Sequence, residues 1–156
     1  MPIGPKLGID VGRARIGVAR SDLHGILAVP VETVPRDADG SADVARIVRL
    51  AAEHEAIEVV VGHPLALSGN PTASTDDAVG FAERLADALP VPVRLVDERL
   101  STVTAQQALR ASGRKAKSQR PVVDQAAAVV ILQHAIDAER AAGAPPGVVV
   151  TPNEGS

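Results

Sequence analysis

The sequence of 156 residues contains no cysteine, tryptophan or tyrosine, and its single phenylalanine is Phe81. Without cysteine the chain can form no disulfide scaffold, thiolate zinc site or cysteine nucleophile. With a single residue of the Phe, Tyr and Trp type, it offers no aromatic platform for stacking the bases of a single-stranded nucleic acid, an interaction of about 1–3 kcal/mol per base. No apolar run approaches the ~18 residues of a membrane span. The sequence therefore excludes several classes of protein before any motif is considered.

The remaining composition is that of a folded protein. Hydrophobic residues make up 46% of the chain and charged residues 22%, which is enough to bury a core. Alanine and valine dominate the hydrophobic set, so we expect helices and sheet to pack closely. The amino-terminal MPIGPKLGIDVG lacks the order of regions that defines a signal peptide. We therefore expect a cytoplasmic protein with no membrane partner.

The basic residues are unevenly distributed, although the net charge is only −3. The segment 99–123 has six basic residues and no acidic one, which leaves 10 basic and 19 acidic residues elsewhere. The six are Arg99, Arg110, Arg114, Lys115, Lys117 and Arg120. This basic segment is either an ordinary solvated loop or an edge that binds phosphate groups.

Apolar runs and helical periodicity predict five strands and four helices. The strands are expected over 6–11, 14–20, 26–34, 57–61 and 91–96, and the helices over 41–55, 74–89, 101–112 and 121–142. Short turns join the first three strands, whereas helices separate the later ones. We therefore predict an α/β fold with a five-stranded mixed sheet, three antiparallel strands and then two parallel ones, and helices on both faces. One domain is expected over 1–142, followed by a flexible tail, rich in proline and glycine, over 143–156.

Acidic residues occur at three places where chemistry is expected. Asp10 lies within the first apolar strand, where a carboxylate is costly unless it is paired or binds a metal. Asp97 and Glu98 follow the fifth strand, at the end where open α/β sheets bind ligands. Asp124 lies in the first turn of the last helix, on the face of its apolar positions. Each of these acids also has a purely structural explanation. Asp10 could form a turn, Asp97 and Glu98 could start the next helix, and Asp124 could interact favourably with the helix dipole.

Carboxylates from two strands and a helix can converge on one cleft. Their oxygen atoms suit Mg²⁺ or Mn²⁺, and no cluster of histidine and cysteine in the sequence suits a softer metal. Two such ions about 3.5–4 Å apart can activate a water and neutralise the leaving oxygen in phosphodiester hydrolysis. The acids therefore point to a metal-dependent hydrolase of nucleic acid.

Four blocks of the sequence, spanning roughly 7–136, resemble those of the YqgF/RuvX family and occur in the same order. They are GIDVG at 8–12 with Arg13, Arg15 and Gly17; Val61 and Gly62 with Pro64, Leu65 and Gly69; DERLST at 97–102 with Ala105; and Asp124 with Ala127, Ala128 and ILQ at 131–133. The resemblance implies an RNase H-like fold related to RuvC-type Holliday junction resolvases. It also implies an endonuclease that processes the 5′ end of pre-16S rRNA in ribosome biogenesis.

The resemblance assigns roles by position. It implies that Asp10, Glu98 and Asp124 are the catalytic and metal-binding acids, with Asp97 a less certain neighbour. Phosphate contacts are expected from the following basic residues: Arg13, Arg15 and Arg99 by the resemblance, and Arg114, Lys115, Lys117 and Arg120 from the basic segment. His63 departs from the family pattern, and is either a proton shuttle or a partly exposed loop histidine.

Other functions stay open at this point. A Holliday junction resolvase acting in DNA recombination and repair would use the same acids, and a non-catalytic nucleic-acid-binding factor would use the same basic segment. A sugar-kinase-like or actin-like ATPase would need two such domains, whereas this chain has the length of one. The expected partner is structured nucleic acid, either pre-rRNA or branched DNA, with the ribosome as a further partner. The protein is expected to be a monomer or a homodimer.

Overall fold

A computed structural model describes residues 4–37, 40–63, 73–97, 120–143 and 147–150. Within these ranges the strands are β1 (Lys6–Val11), β2 (Arg15–Ser21), β3 (Ala28–Pro35), β4 (Glu58–His63), β5 (Val93–Asp97) and β6 (Val148–Val149), and the helices are α1 (Ala42–Glu53), α2 (Ala73–Ala88) and α3 (Arg120–Ala142). The helix predicted over 101–112 lies outside the described residues. No helix of the described part of the chain has the length and apolarity needed to cross a bilayer.

The strands form one mixed sheet in the order β3-β2-β1-β4-β5-β6. β1, β2 and β3 pair antiparallel through their short connections. β4 pairs parallel with both β1 and β5, as the intervening helices require. This arrangement confirms the predicted α/β fold with three antiparallel strands followed by two parallel ones.

The sheet has six strands rather than the predicted five, because the chain after α3 adds β6 to the outer edge of β5. β6 pairs antiparallel with β5, so that Leu95 lies opposite Val148. Gly147 precedes it with φ +82°, and a Cβ atom there would lie 2.2 Å from the Leu95 carbonyl oxygen. A two-residue strand has no periodicity of its own. It is defined by its hydrogen bonds to β5, and the sequence therefore indicated only a tail in this region.

Helices α1 and α2 cover one face of the sheet. Their apolar residues, among them Ile47, Phe81 and Leu85, form one buried cluster with Leu7 and Ile9 of β1. The single phenylalanine is therefore a core residue, as its place on the helical stripe predicts. At about 25 cal/mol per Å² of apolar surface, burying a side chain of this size contributes on the order of 2–3 kcal/mol.

Helix α3 covers the opposite face, which confirms the prediction of helices on both sides. It packs closely on Gly8, where a Cβ atom would lie 2.6 Å from Leu132 Cβ and 3.0 Å from the Ala128 carbonyl oxygen. Lys6, earlier in β1, contacts Glu139, later in α3. The helix therefore runs antiparallel to β1, with its amino-terminal end towards the carboxyl end of that strand.

A network of buried charges lies under α3 at the start of β1. Lys6 Nζ lies between two carboxylates: it is 3.1 Å from Glu58 Oε1 and forms a short contact with Glu139 Oε1. Arg94 Nε donates to Glu58 Oε2 at 2.8 Å. This network links β1, β4, β5 and α3, and it fixes the position of the helix along the sheet.

Candidate active site

The parallel strands β1, β4 and β5 end at one edge of the sheet, which we term the carboxyl edge. His63, the last residue of β4, lies beside Asp97, the last residue of β5. Val11 ends β1, which pairs with β4. Open α/β sheets bind ligands at such an edge, because the connections that leave it carry the functional side chains.

Asp10 lies at the carboxyl edge, one residue before β1 ends, and is half-buried. It alternates along β1 with Leu7 and Ile9, which face the core under α1 and α2. Asp10 therefore shares the opposite face with Gly8, the residue that contacts Ala128 of α3. Asp124 lies one helical turn before Ala128, in the direction in which α3 approaches the carboxyl edge.

The remaining predicted site residues are only partly described. Glu98, Arg99, Arg114, Lys115 and Lys117 lie outside the described residues. The side chains of Asp97, Arg120 and Asp124 are likewise outside them, although their backbones belong to β5 and α3. Among the side chains that are described, no group of three histidine or acidic residues could hold a metal ion. The convergence of Asp10, Glu98 and Asp124 therefore stays a prediction.

The turn between β1 and β2 carries two of the predicted phosphate-binding residues to the same edge. Arg13 is exposed and Arg15 is half-buried. The Gly12 amide donates to the Arg15 carbonyl oxygen at 2.9 Å. A Cβ atom on Gly12 would lie 2.6 Å from that oxygen, so the tight turn requires glycine here. The half-buried His63 at the end of β4 completes the described part of this edge.

Sequence reasoning missed a group of charged residues behind this turn, which we term the Arg36 clamp: Arg36, Asp43 and Asp77. Arg36 follows β3, and its two terminal nitrogens bind both carboxylate oxygens of Asp77 in α2, each at 2.9 Å. Its Nε lies 3.5 Å from Asp43 Oδ2 in α1. Arg36 Nη1 also donates to the Gly12 carbonyl oxygen at 2.8 Å. No spacing in the sequence joins these three residues, because they come from three separate elements.

The clamp lowers the pKa of Asp77, its partly exposed acid. The hydrogen bonds from Arg36 lower the pKa of Asp77 below its ordinary value of 3.8, and the charge of nearby Arg13 contributes less. Partial burial of Asp77 opposes this effect. The Asp77 carboxyl is therefore ionised throughout the neutral range.

We expect the stability difference between the wild type and Asp77→Asn to depend on pH. A carboxyl with a depressed pKa in the folded state stabilises the fold above its unfolded pKa, and this contribution is lost as the pH falls through the folded value. The asparagine variant should thus be less stable near neutrality, and the difference should shrink below about pH 4. Because 37% of the Asp77 side chain is exposed, screening should limit the difference to about 1 kcal/mol. Urea unfolding over a pH series measures it, and a difference that grows in acid would contradict the interpretation.

Solved structures with this fold define the class of the protein. Thermus thermophilus RuvC matches 92% of this chain and 99% of its own, with a TM-score of 0.57 and 21% identity. The same values hold for T. thermophilus RuvC in complex with a Holliday junction substrate. The chain therefore has the RNase H-like α/β fold of RuvC.

Sequence comparisons define the family. The RuvX family, described as "Holliday junction resolvase", matches residues 4–138. A relative from Clavibacter sepedonicus is 68% identical over 153 residues, covering 98% of this chain and 95% of the relative. One from Leifsonia xyli subsp. xyli is 61% identical over 155 residues, covering 99% of each. Both carry the name "Putative pre-16S rRNA nuclease". The chain belongs to the RuvX family.

Proposed function

We propose that the protein is a cytoplasmic, metal-dependent endonuclease that hydrolyses phosphodiester bonds at the 5′ end of pre-16S rRNA during ribosome biogenesis. The observation that carries this proposal is the sequence identity of 61–68%, over nearly the whole chain, to relatives named "Putative pre-16S rRNA nuclease". The position of Asp10 at the carboxyl edge supports it, because β4, which lies beside β1, and β5, which lies beside β4, end at the same edge. The substrate would be structured RNA, with the ribosome as a further partner.

The proposed metal ligands are Asp10, Glu98 and Asp124, and the proposed ions are Mg²⁺ or Mn²⁺. Val96, two residues before Glu98 in the sequence, belongs to the buried cluster on the α3 face of the sheet. Because α3 runs antiparallel to β1, its amino-terminal turns lie towards the carboxyl edge of the sheet, where Asp10 lies. Carboxylate oxygens are the donors that hard divalent cations prefer.

The carboxylates and the arginines of the chain would have separate roles in the reaction. When bound, the divalent ions supply polarisation of the attacking water and neutralise charge on the leaving oxygen. The three carboxylates would hold the ions at the scissile bond, beyond the carboxyl edge. Arg13, Arg15 and Arg99 would bind the phosphate oxygens through charge-assisted hydrogen bonds and so orient the backbone of the substrate. Because the single phenylalanine of the chain, Phe81, is buried, recognition would depend on phosphates and backbone shape, which suits structured nucleic acid.

A comparison of two substrates tests the proposal. One substrate is an rRNA precursor that contains the 5′ leader of 16S rRNA, and the other is a four-way DNA junction of matched length. We expect the purified protein to cleave the precursor with Mg²⁺ and to leave it intact when the cation is chelated. Preferred cleavage of the junction would establish a resolvase instead. Binding of either substrate without cleavage by any divalent ion would establish a non-catalytic factor.

The basic segment gives a prediction about binding. We expect the triple substitution of Arg114, Lys115 and Lys117 with alanine to weaken binding similarly for substrates of different sequence, because phosphate contacts carry no sequence information. The plot of log Kd against log salt concentration should become less steep by roughly 0.7–0.9 for each phosphate that is no longer neutralised. Fluorescence anisotropy over a salt series, without divalent cation, measures both quantities.

The matched control removes basic residues from other surfaces. Arg49 in α1 and Arg140 in α3 are exposed, and Arg49→Ala with Arg140→Ala should leave the slope unchanged. An unchanged slope in the triple variant would show that the basic segment does not contact phosphate.

A further inference from the structure

Arg36 bonds the β1–β2 turn through both its backbone and its side chain. Its backbone amide donates to the Ala14 carbonyl oxygen at 3.0 Å. Its Nη1 donates to the Gly12 carbonyl oxygen at 2.8 Å. These two acceptors lie on either side of Arg13. The position of that turn therefore depends on where Arg36 is held.

The guanidinium of Arg36 is fixed from several sides. Asp77 binds it at two points, as described above, and Asp43 lies 3.5 Å from its Nε. The Asp43 side chain is fully buried and accepts a hydrogen bond from the Asp37 amide at 3.1 Å. The ring of Phe81 lies 5.3 Å from the guanidinium carbon, a distance at which the charge and the ring attract each other. Arg36 therefore joins the turn to both α1 and α2.

The same contacts engage the carboxylate of Asp77, a negative charge close to one of the phosphate-binding residues. Asp77 lies close enough to Arg13 for the two charges to interact. Both carboxylate oxygens of Asp77 are bound by Arg36, while Arg13 is exposed. Without Arg36, the Asp77 carboxylate would have Arg13 as a cationic partner nearby, and an arginine bound in this way would be less available to a phosphate group.

We propose that Arg36 is a positioning residue for substrate binding: it holds the β1–β2 turn against α2 and occupies Asp77, so that Arg13 and Arg15 are presented to the phosphates of the nucleic acid. Arg36 itself does not contact the substrate. This inference rests on the proposed function, because it assigns the two arginines of the turn to phosphate binding.

The test compares Arg36→Gln with Arg46→Gln, a matched control. Arg46 in α1 binds both oxygens of Glu32 in β3, at 2.8 and 2.6 Å, but has no described contact with the turn. We expect Arg36→Gln to weaken binding of the rRNA precursor about tenfold without divalent cation and to lower the salt slope by roughly 0.7–0.9. In cleavage, KM should rise by a similar factor while kcat stays within about threefold. Arg46→Gln should leave all of these quantities within about twofold of the wild type.

Two further variants separate positioning from a general loss of structure. The double variant Arg36→Gln with Asp77→Asn removes the competing carboxylate, and we expect it to recover the part of the lost binding that is due to Asp77, while the part due to the released turn stays lost. Arg36→Lys keeps a positive charge but cannot bind Asp77 at two points with a planar fork, and it should show an intermediate loss. If Arg36→Gln does not fold, Arg36→Lys is compared with the wild type and with Arg46→Gln instead.

The outcomes distinguish this inference from the proposed function. If a folded Arg36→Gln variant has wild-type binding and KM, the positioning role is wrong and the nuclease proposal is unaffected. A decrease in kcat alone, without a change in binding or KM, would have the same meaning. A double variant that binds as weakly as Arg36→Gln would overturn the part assigned to Asp77. If the wild type binds the precursor or the junction but cleaves neither, the proposed activity fails, whereas the binding comparison still tests Arg36.

Discussion

Replacing Asp10 with asparagine is expected to reduce cleavage by more than 100-fold while leaving substrate binding intact or slightly tighter. Loss of an outer-shell partner of a metal ligand already costs about 10–100-fold in affinity or activity, and a direct ligand should cost more. Binding should persist because the substitution removes a negative charge from a surface that receives phosphates. Single-turnover cleavage of the rRNA precursor and anisotropy without divalent cation measure the two effects separately.

The control for this experiment is the same change at a distant acid. Asp87 is exposed in the last turn of α2, and Asp87→Asn should cleave at the wild-type rate. Cleavage that survived Asp10→Asn combined with Glu98→Gln and Asp124→Asn would show that the metal-site proposal is wrong. A loss of binding equal to the loss of cleavage would instead indicate that Asp10 maintains the structure of the turn.

Replacing Lys6 with methionine is expected to lower the free energy of unfolding by about 3–5 kcal/mol, the usual cost of removing one partner from a buried ion pair. The side chains of Lys6, Glu58 and Glu139 are each only 10% exposed. Without the ammonium group, two buried carboxylates would face each other under α3. Since whole domains are stable by only about 5–15 kcal/mol, the variant should be close to unfolding. Urea or thermal unfolding followed by circular dichroism measures the change.

A double variant gives the decisive comparison for this network. In Lys6→Met with Glu139→Leu, both charges are removed, and Glu58 keeps its hydrogen bond from Arg94. We expect this variant to recover most of the lost stability, because apolar replacements of a buried pair are often neutral. Arg140→Met, at an exposed position of the same helix, should change stability by less than about 0.5 kcal/mol. A loss below about 1 kcal/mol in Lys6→Met would mean that the network contributes little.

The sequence predicts those strands and helices in which apolar residues recur at a regular local spacing. The apolar run around Leu7 and Ile9 identified β1, and the stripe containing Phe81 and Leu85 identified α2; all four side chains are buried. The short turns and the intervening helices then predicted which strands are antiparallel. The position of Asp10 within an apolar run marked it as a candidate site residue, because a carboxylate is costly in such a place without a partner or a metal.

The features that sequence reasoning missed depend on contacts between distant residues. Asp77 lies 41 residues from Arg36, and Glu139 lies 133 residues from Lys6. Neither pair shows any helical or strand spacing, so only the folded chain brings these partners together. β6 was missed for a related reason, since Val148 and Val149 become a strand only by pairing with β5.

Because Leu132 of α3 packs closely on Gly8 of β1, one face of the sheet stays uncovered during synthesis until α3 has been made. β1 leaves the ribosome before every other described element, whereas α3 follows all elements from β1 to β5. A nascent chain can therefore pack α1 and α2 on one face of the sheet while the face that carries Asp10 is still uncovered. The helix that bears Asp124 reaches this face only after β1 to β5 have been synthesised. A nuclease built in this way would have no activity until α3 has left the ribosome.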